Sequence, residues 1–447
     1  MTAPIKNLFY YTRLPRPTVE RAEGIYLWDK PGKRYIDGSS GAVNVNIGHG
    51  NRNVIDAVSR QMDKVCFAYT IHFENEPALE LAADLARRIP GMDRIYFVSG
   101  GSEAVEAALK LARQWAVAIG QPKRRKIIGR MPSYHGITVG ALGVTGDHVL
   151  TDAFEDIGRY MPLIPAPMIH RDRDNLSDDA RGLRYADMLE AKLIEEGPES
   201  VLAFIMEPVG GAATAGLVAP DSYYRRIREI CDRYGILLIH DEVMSGAGRT
   251  GKFLAGEHWN CRPDIVILSK GLSSGYQPLG AIAAPDRIVA PIIGMGGFLH
   301  GHTYAGNPVA CAAGLAVLAE TDRLGLIARA EEMGAILRAE LVSMAKRFPF
   351  VADIRGKGLL LGADIYADPS TKTPLAPEKF ANTRLIDLAF ERGLIVYSRR
   401  VKGGAFGDNF MVCPPLIVTR EQIGEIMSIL GDCLQLLADE FHLPVDG

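Results

Sequence analysis

Two charged residues, each at the end of a short apolar run, carry the chemistry of this chain. Lys270 closes the run Ile265-Val266-Ile267-Leu268 and is followed by Gly271-Leu272-Ser273-Ser274-Gly275-Tyr276. A second apolar run, 235–239, ends in His240-Asp241-Glu242. Runs of this kind read as buried strands, and in an open α/β sheet ligands sit at the carboxyl ends of the strands. A lysine amine there can add to a carbonyl. A buried aspartate can keep a ring nitrogen protonated. A lysine and an acid placed together in this way are what pyridoxal phosphate chemistry requires.

An anion site is suggested by Phe97-Val98-Ser99-Gly100-Gly101-Ser102-Glu103-Ala104, which runs from a strand into a helix. The glycines admit a ligand close to the backbone, and a helix N-terminus presents unpaired N–H groups to an anion. Ser102 stands where an N-cap is expected. The same pattern also serves a plain capped helix after a glycine turn. A carboxylate at Asp241 needs a cationic partner, either a protonated pyridine or an arginine such as Arg249. Metal ligation by His240-Asp241-Glu242 is not expected, because successive strand residues face opposite ways. Tyr134 either stacks on a flat cofactor or packs in a core. Glu207 is either a second carboxylate near the ring or a cap on the following loop. Thr303 offers a hydroxyl to phosphate or caps the alanine-rich helix after Pro308.

These residues need a scaffold. Apolar runs at 95–98, 126–128, 201–206, 236–240 and 265–268 alternate with helical patterns. That alternation predicts βαβ units and a mostly parallel sheet with helices on both faces. Residues 24–29 and 33–38 flank Pro31-Gly32 and read as a hairpin. Beyond about 325, helical stretches at 331–346, 378–392 and 420–441 alternate with short strands near 359–363 and 394–397. This α+β segment is expected to join the hairpin as a smaller domain. The expected division is 1–70 and 326–447 for the small domain and 71–325 for the large one.

Composition excludes several classes of function. With 447 residues, a net charge of −3 and 23% charged residues, nothing predicts nucleic acid as a partner. No run is long and apolar enough for a membrane span, and 1–16 holds no apolar stretch for a signal sequence. Six cysteines without CxxC spacing point to reduced thiols and a cytoplasmic location.

Taken in order, the motifs resemble the class III (ω-type) aminotransferases, pyridoxal-phosphate enzymes of fold type I. Asp37-Gly38-Ser39-Ser40-Gly41 and Asn46-Ile47-Gly48-His49 are similar to the family's N-terminal active-site loop. Gly100-Gly101-Ser102-Glu103-Ala104, Tyr134-His135-Gly136, Glu207-Pro208-Val209, Asp241-Glu242-Val243, Gly248-Arg249-Thr250-Gly251, Lys270-Gly271-Leu272 and His302-Thr303-Tyr304 follow in the family's order. The match covers nearly the whole chain, and so many motifs in fixed sequence are specific.

The resemblance implies that Lys270 holds pyridoxal 5′-phosphate covalently and shuttles a proton, while Asp241 keeps the pyridine nitrogen charged. Val243 and Tyr134 would sandwich the ring, Gly101 and Ser102 would bind phosphate, and His135 and Glu207 would complete the cofactor contacts. Thr303 would reach the phosphate of a neighbouring subunit, which implies a homodimer with shared sites, with dimers free to pair into tetramers. The implied reaction moves an amino group from an amine or ω-amino acid to a keto acid such as pyruvate by ping-pong turnover. A decarboxylating transaminase or an aminomutase on the same scaffold is the alternative. The chain departs from many amine–pyruvate members at two points. Val43 stands where they carry tryptophan, and Lys402-Gly403-Gly404-Ala405-Phe406 before Gly407-Asp408 lacks their mobile arginine. Arg399 and Arg400 lie just upstream, as substrate-carboxylate ligands or as solvated loop charges.

Overall fold

The computed structural model describes residues 16–400 and 407–446, together with Asn7 and Gly404. Lys402, Gly403, Ala405 and Phe406 lie outside the described residues, as does nearly all of the N-terminal stretch 1–16.

The chain opens with β1 (Val19–Glu23), β2 (Tyr26–Asp29) and β3 (Arg34–Asp37). β2 and β3 pair antiparallel, Tyr26 opposite Ile36, so the hairpin forms around the Pro31-Gly32 turn as its alternation predicts. The next strands are β4 (Arg94–Val98), β5 (Lys126–Met131), β6 (Leu163–Pro165), β7 (Val201–Met206), β8 (Leu237–Asp241), β9 (Ile265–Leu268) and β10 (Gly280–Ala284). They form one sheet in the order β4-β10-β9-β8-β7-β5-β6. Only β10 runs against its neighbours. Every residue of β7, β8 and β9 is buried, as expected of strands covered on both faces. The helix Gly101–Ala118 packs on one face with Ala104, Ala108, Leu111 and Ala112 against Ile239 and Ile267. The helices Asp178–Glu196 and Asp221–Tyr234 cover the other face through Leu189, Tyr223 and Ile227.

The remaining strands are β11 (Val351–Lys357), β12 (Leu360–Asp368), β13 (Thr373–Pro374), β14 (Leu394–Ile395) and β15 (Asp408–Val412). β14 pairs in parallel with β3, which ties the C-terminal segment to the N-terminal hairpin. One apolar core holds Ile25, Ile36 and Ile47 together with Leu337, Leu385, Leu394, Phe410 and Leu430. Two distant stretches of sequence thus bury one another. The long helices run Leu326–Arg347, Ala381–Glu391 and Arg420–Phe441. The helix Arg52–Lys64 packs on Pro308–Arg323, so contact crosses the boundary expected near residue 70. Among the described residues no helix is long and apolar enough to cross a membrane.

Candidate active site

Sheet topology brings the two key residues together. β8 and β9 are adjacent and parallel, with Asp241 opposite Ile267, so Asp241 and Lys270 emerge at the same edge. Lys270 sits in a left-handed conformation, φ 46°, at the start of a short 3-10 turn, Lys270–Leu272. Such backbone is costly for a residue with a Cβ and clusters at functional sites. Both residues line a cavity of about 260 Å³. Gly101, Ser102, Tyr134, His135, Glu207, Val243 and Arg399 line it too. All but Arg399 come from the ends of the parallel strands β5, β7, β8 and β9 and the N-terminus of one helix; Arg399 comes from the segment after β14.

Asp241 is almost fully buried and meets His135 Nδ1 at 2.7 Å through Oδ2. Its other oxygen, Oδ1, accepts from the Val243 backbone N–H at 3.1 Å. Arg249 is therefore not its partner. That guanidinium is buried elsewhere and donates to Pro414 O at 2.5 Å, Asn46 Oδ1 at 2.7 Å and Ser40 Oγ at 3.0 Å. Burial pushes the Arg249 guanidinium down to about 10. Lys270 is held below the usual lysine range, chiefly by burial, with Asp241 and Glu207 opposing that shift and Arg399 adding to it. An amine in this state is readier to lose its proton. Glu207 is raised above the usual carboxyl range, again by burial. One of its oxygens, Oε1, accepts from Gly211 N at 2.9 Å, so it does cap the next loop.

Neighbouring glycines shape the anion end. Gly100, which has no side chain to bond, is the N-cap of the helix Gly101–Ala118, so its first N–H groups are left without a side-chain cap. This corrects the expectation for Ser102, which sits one turn position inside the helix; its Oγ accepts from Ile137 N at 3.1 Å. A Cβ on Gly101 would stand 3.1 Å from Val243 Cγ1. Gly136, with φ 138°, passes so close to Ser102 that a Cβ there would lie 2.6 Å from Oγ.

Arg400 and Val43, expected at the substrate end, do not line this cavity. Arg400 turns away from the cavity, donates to Pro377 O and lies 4.0 Å over the Phe380 ring. Val43 is buried behind the wall against Val209, Met411 and Cys413, and its neighbour Ala42 is what lines the cavity. Thr303 is exposed and does not line this chain's cavity. Residue reading also missed Val209, Ala212, Met244 and Tyr397, apolar or aromatic lining groups that carry no chemical signature in sequence. Among the described residues no group of three or more His, Cys, Asp and Glu is placed to hold a metal ion. A larger cavity, about 690 Å³, borders the residues leading into β9 but holds no lysine. Its Asp264 is already paired with Arg228 and Arg287.

Residues 11–434 match the model of the family described as aminotransferase class-III. The chain belongs to the class III aminotransferases. An uncharacterized aminotransferase of Bacillus subtilis, YodT, is 40% identical over 419 residues, 93% of this chain and 94% of the relative. A putrescine–pyruvate aminotransferase of Pseudomonas aeruginosa is 33% identical over 94% of this aminotransferase and 91% of its own length. A solved (S)-enantioselective omega-transaminase from Thermomicrobium roseum superposes with a TM-score of 0.90 at 37% identity, covering 98% of this chain and 96% of that one. The fold is that of pyridoxal-phosphate fold type I, and this aminotransferase depends on pyridoxal 5′-phosphate.

The cavity suits that cofactor on its own evidence. The uncapped helix N-terminus and the two close-packed glycines fit a phosphate. Among the described residues, Glu207 Oε2 and His135 Nε2 are buried without a hydrogen-bond partner, which marks an incomplete polar site.

Proposed function

We propose that this aminotransferase moves an amino group from an amine or ω-amino acid to a small keto acid such as pyruvate. The observation that carries this reading is Lys270 and Asp241 on one cavity wall, from adjacent parallel strands, with the lysine held below its usual range. Lys270 would bind the cofactor through Nζ. The Asp241 carboxylate, oriented by His135 and Val243 N–H, would face the ring nitrogen and keep it charged. Val243 and Tyr134 would flank the ring, Glu207 would approach it with its free oxygen, and Gly101, Ser102 and the helix N-terminus would take the phosphate. Pyridoxal phosphate, once bound, supplies an electron sink for a carbanion formed next to nitrogen. Lys270 Nζ, once freed, would take the proton from the donor carbon and pass it to the cofactor within the same half-reaction, and would run that transfer in reverse toward the keto acid in the second. Ala42, Val209 and Ala212 give that side of the cavity an aliphatic lining. The names of two relatives, putrescine–pyruvate and taurine–pyruvate aminotransferase, support pyruvate as acceptor.

A homodimer completes the site in this reading. Ile71, Phe73, Tyr304 and Leu299 are each more than half exposed. The segments that carry them touch, with Asn75 Nδ2 donating to Gly306 O at 2.9 Å and Phe67 set edge-on to Tyr304. An apolar face of this kind marks a protein interface. Thr303, exposed beside Tyr304, would serve a second copy's cavity. All six cysteines are free and five are buried, in keeping with a cytosolic enzyme.

The deciding experiment is borohydride reduction of the native enzyme followed by peptide mass spectrometry. Cofactor fixed to the peptide bearing Lys270 is expected. Cofactor on another lysine, or on none, overturns the assignment.

A further inference from the structure

Arg399 is the only arginine lining the cavity among the described residues, and its surroundings hold it still. Its Nε and Nη2 lie 3.1 and 3.0 Å from one oxygen of Asp147, Oδ2. Its guanidinium carbon lies 4.2 Å over the centre of the Tyr134 ring. Asp147 is 2% exposed, and among the described residues its second oxygen, Oδ1, has no hydrogen-bond partner. Arg399 is thus the counter-charge of a buried carboxylate. Swinging it away would strand Asp147 without a cation, which is strongly unfavourable. The bond to Asp147 uses one edge of the guanidinium. Among the described residues the remaining amine, Nη1, has no hydrogen-bond partner.

We propose that Asp147 is a positioning residue that fixes Arg399, so that the free edge of Arg399 takes a substrate carboxylate and the donor this cavity prefers carries one. The inference rests on the transamination reading above and narrows its substrate class to amino acids over simple amines. A planar fork bound on one edge still offers donors in fixed geometry to a second carboxylate. A donor without a carboxylate would leave that edge unpaired in a partly dry site.

The test compares substrates that differ only in the carboxylate. Wild-type enzyme should turn over an ω-amino acid at least about tenfold better in kcat/KM than the alkylamine of equal length, the loss expected for one charge-assisted hydrogen bond. Asp147→Asn should raise KM for pyruvate about tenfold with kcat nearly unchanged, and leave KM for an aldehyde acceptor unaltered. Arg399→Gln should show the same split, and should abolish the competitive inhibition by propionate that the proposal expects of the wild type. The second variant keeps the proposal testable should Asp147→Asn fold poorly. A lower KM for pyruvate in Asp147→Asn would make Asp147 a competitor for Arg399 and overturn the proposal. Equal losses with both acceptors, or equal turnover of amine and amino acid by the wild type, would overturn it as well. If the wild type aminates nothing, the transamination reading itself fails instead.

Discussion

In the proposed reaction Lys270 would act as a base and Asp241 as a fixed charge, so their environments decide what each can do. Burial lowers Lys270, and a lysine that removes a proton must first be neutral. The rate of the first half-reaction should therefore rise as pH rises through the Lys270 pKa and level off above it. The midpoint should lie below the usual lysine range; a midpoint at or above that range in stopped-flow pH profiles would remove Lys270 as the base. Asp241→Asn keeps the shape but removes the charge. We expect a folded protein with activity reduced about 100-fold or more, on the scale of a lost preorganised electrostatic contact. An unaltered rate would show that another group charges the ring nitrogen. Glu242, beside Asp241, bonds to Ser245 Oγ and the Gly256 N–H, and burial raises its carboxyl to about 7. The folded state then holds this proton where the unfolded chain has lost it. Its contribution to stability should fall as pH rises from the ordinary carboxyl range to about 7 and stay level beyond. Glu242→Gln should flatten that slope in denaturant titrations between pH 5 and 8.

At the scale of elements, strand ends and one helix start build the site, and close backbone approach holds them. Gly136 passes over Ser102 with a φ that a side chain rarely adopts, and a Cβ would also come within 2.9 Å of Ala141 Cβ. Gly136→Ala should cost about 1–3 kcal/mol in stability from backbone strain alone. By displacing Ser102 it should also weaken cofactor retention, read as the absorbance lost on dialysis. Arg249 ties the N-terminal loop at Ser40 and Asn46 to the C-terminal segment at Pro414. Arg249→Met would strand these acceptors and should cost about 3 kcal/mol, measured by urea unfolding. A stability equal to wild type would mean that the tie is redundant.

Across the whole molecule, the cavity and the exposed apolar face belong to one design if the enzyme is a dimer. Ile71→Glu with Phe73→Glu should yield monomer by analytical ultracentrifugation and, with Thr303 no longer presented to a partner, lower affinity for the cofactor. A dimer of unchanged stability would place the interface elsewhere.

Much of this was written in the chain. Continuous apolar runs become covered strands because nothing polar interrupts either face, and β7 and β9 match their predicted limits. Lys270, Asp241 and the glycine turn were legible because their chemistry depends on residue type and on position at a strand end. Three features were decided only in the folded molecule. The partner of Asp241 is His135 and not Arg249, because strand order leaves only β7 between β5 and β8, so the segment after β5 reaches Asp241, while the loop after β8 carries Arg249 toward the C-terminal segment. Arg399 reaches the cavity, held there by Asp147, while Arg400, one residue on, is taken up by Pro377 O and the Phe380 ring. Asp147 lies 252 positions from the arginine it holds, and no local pattern encodes a contact made by tertiary packing alone.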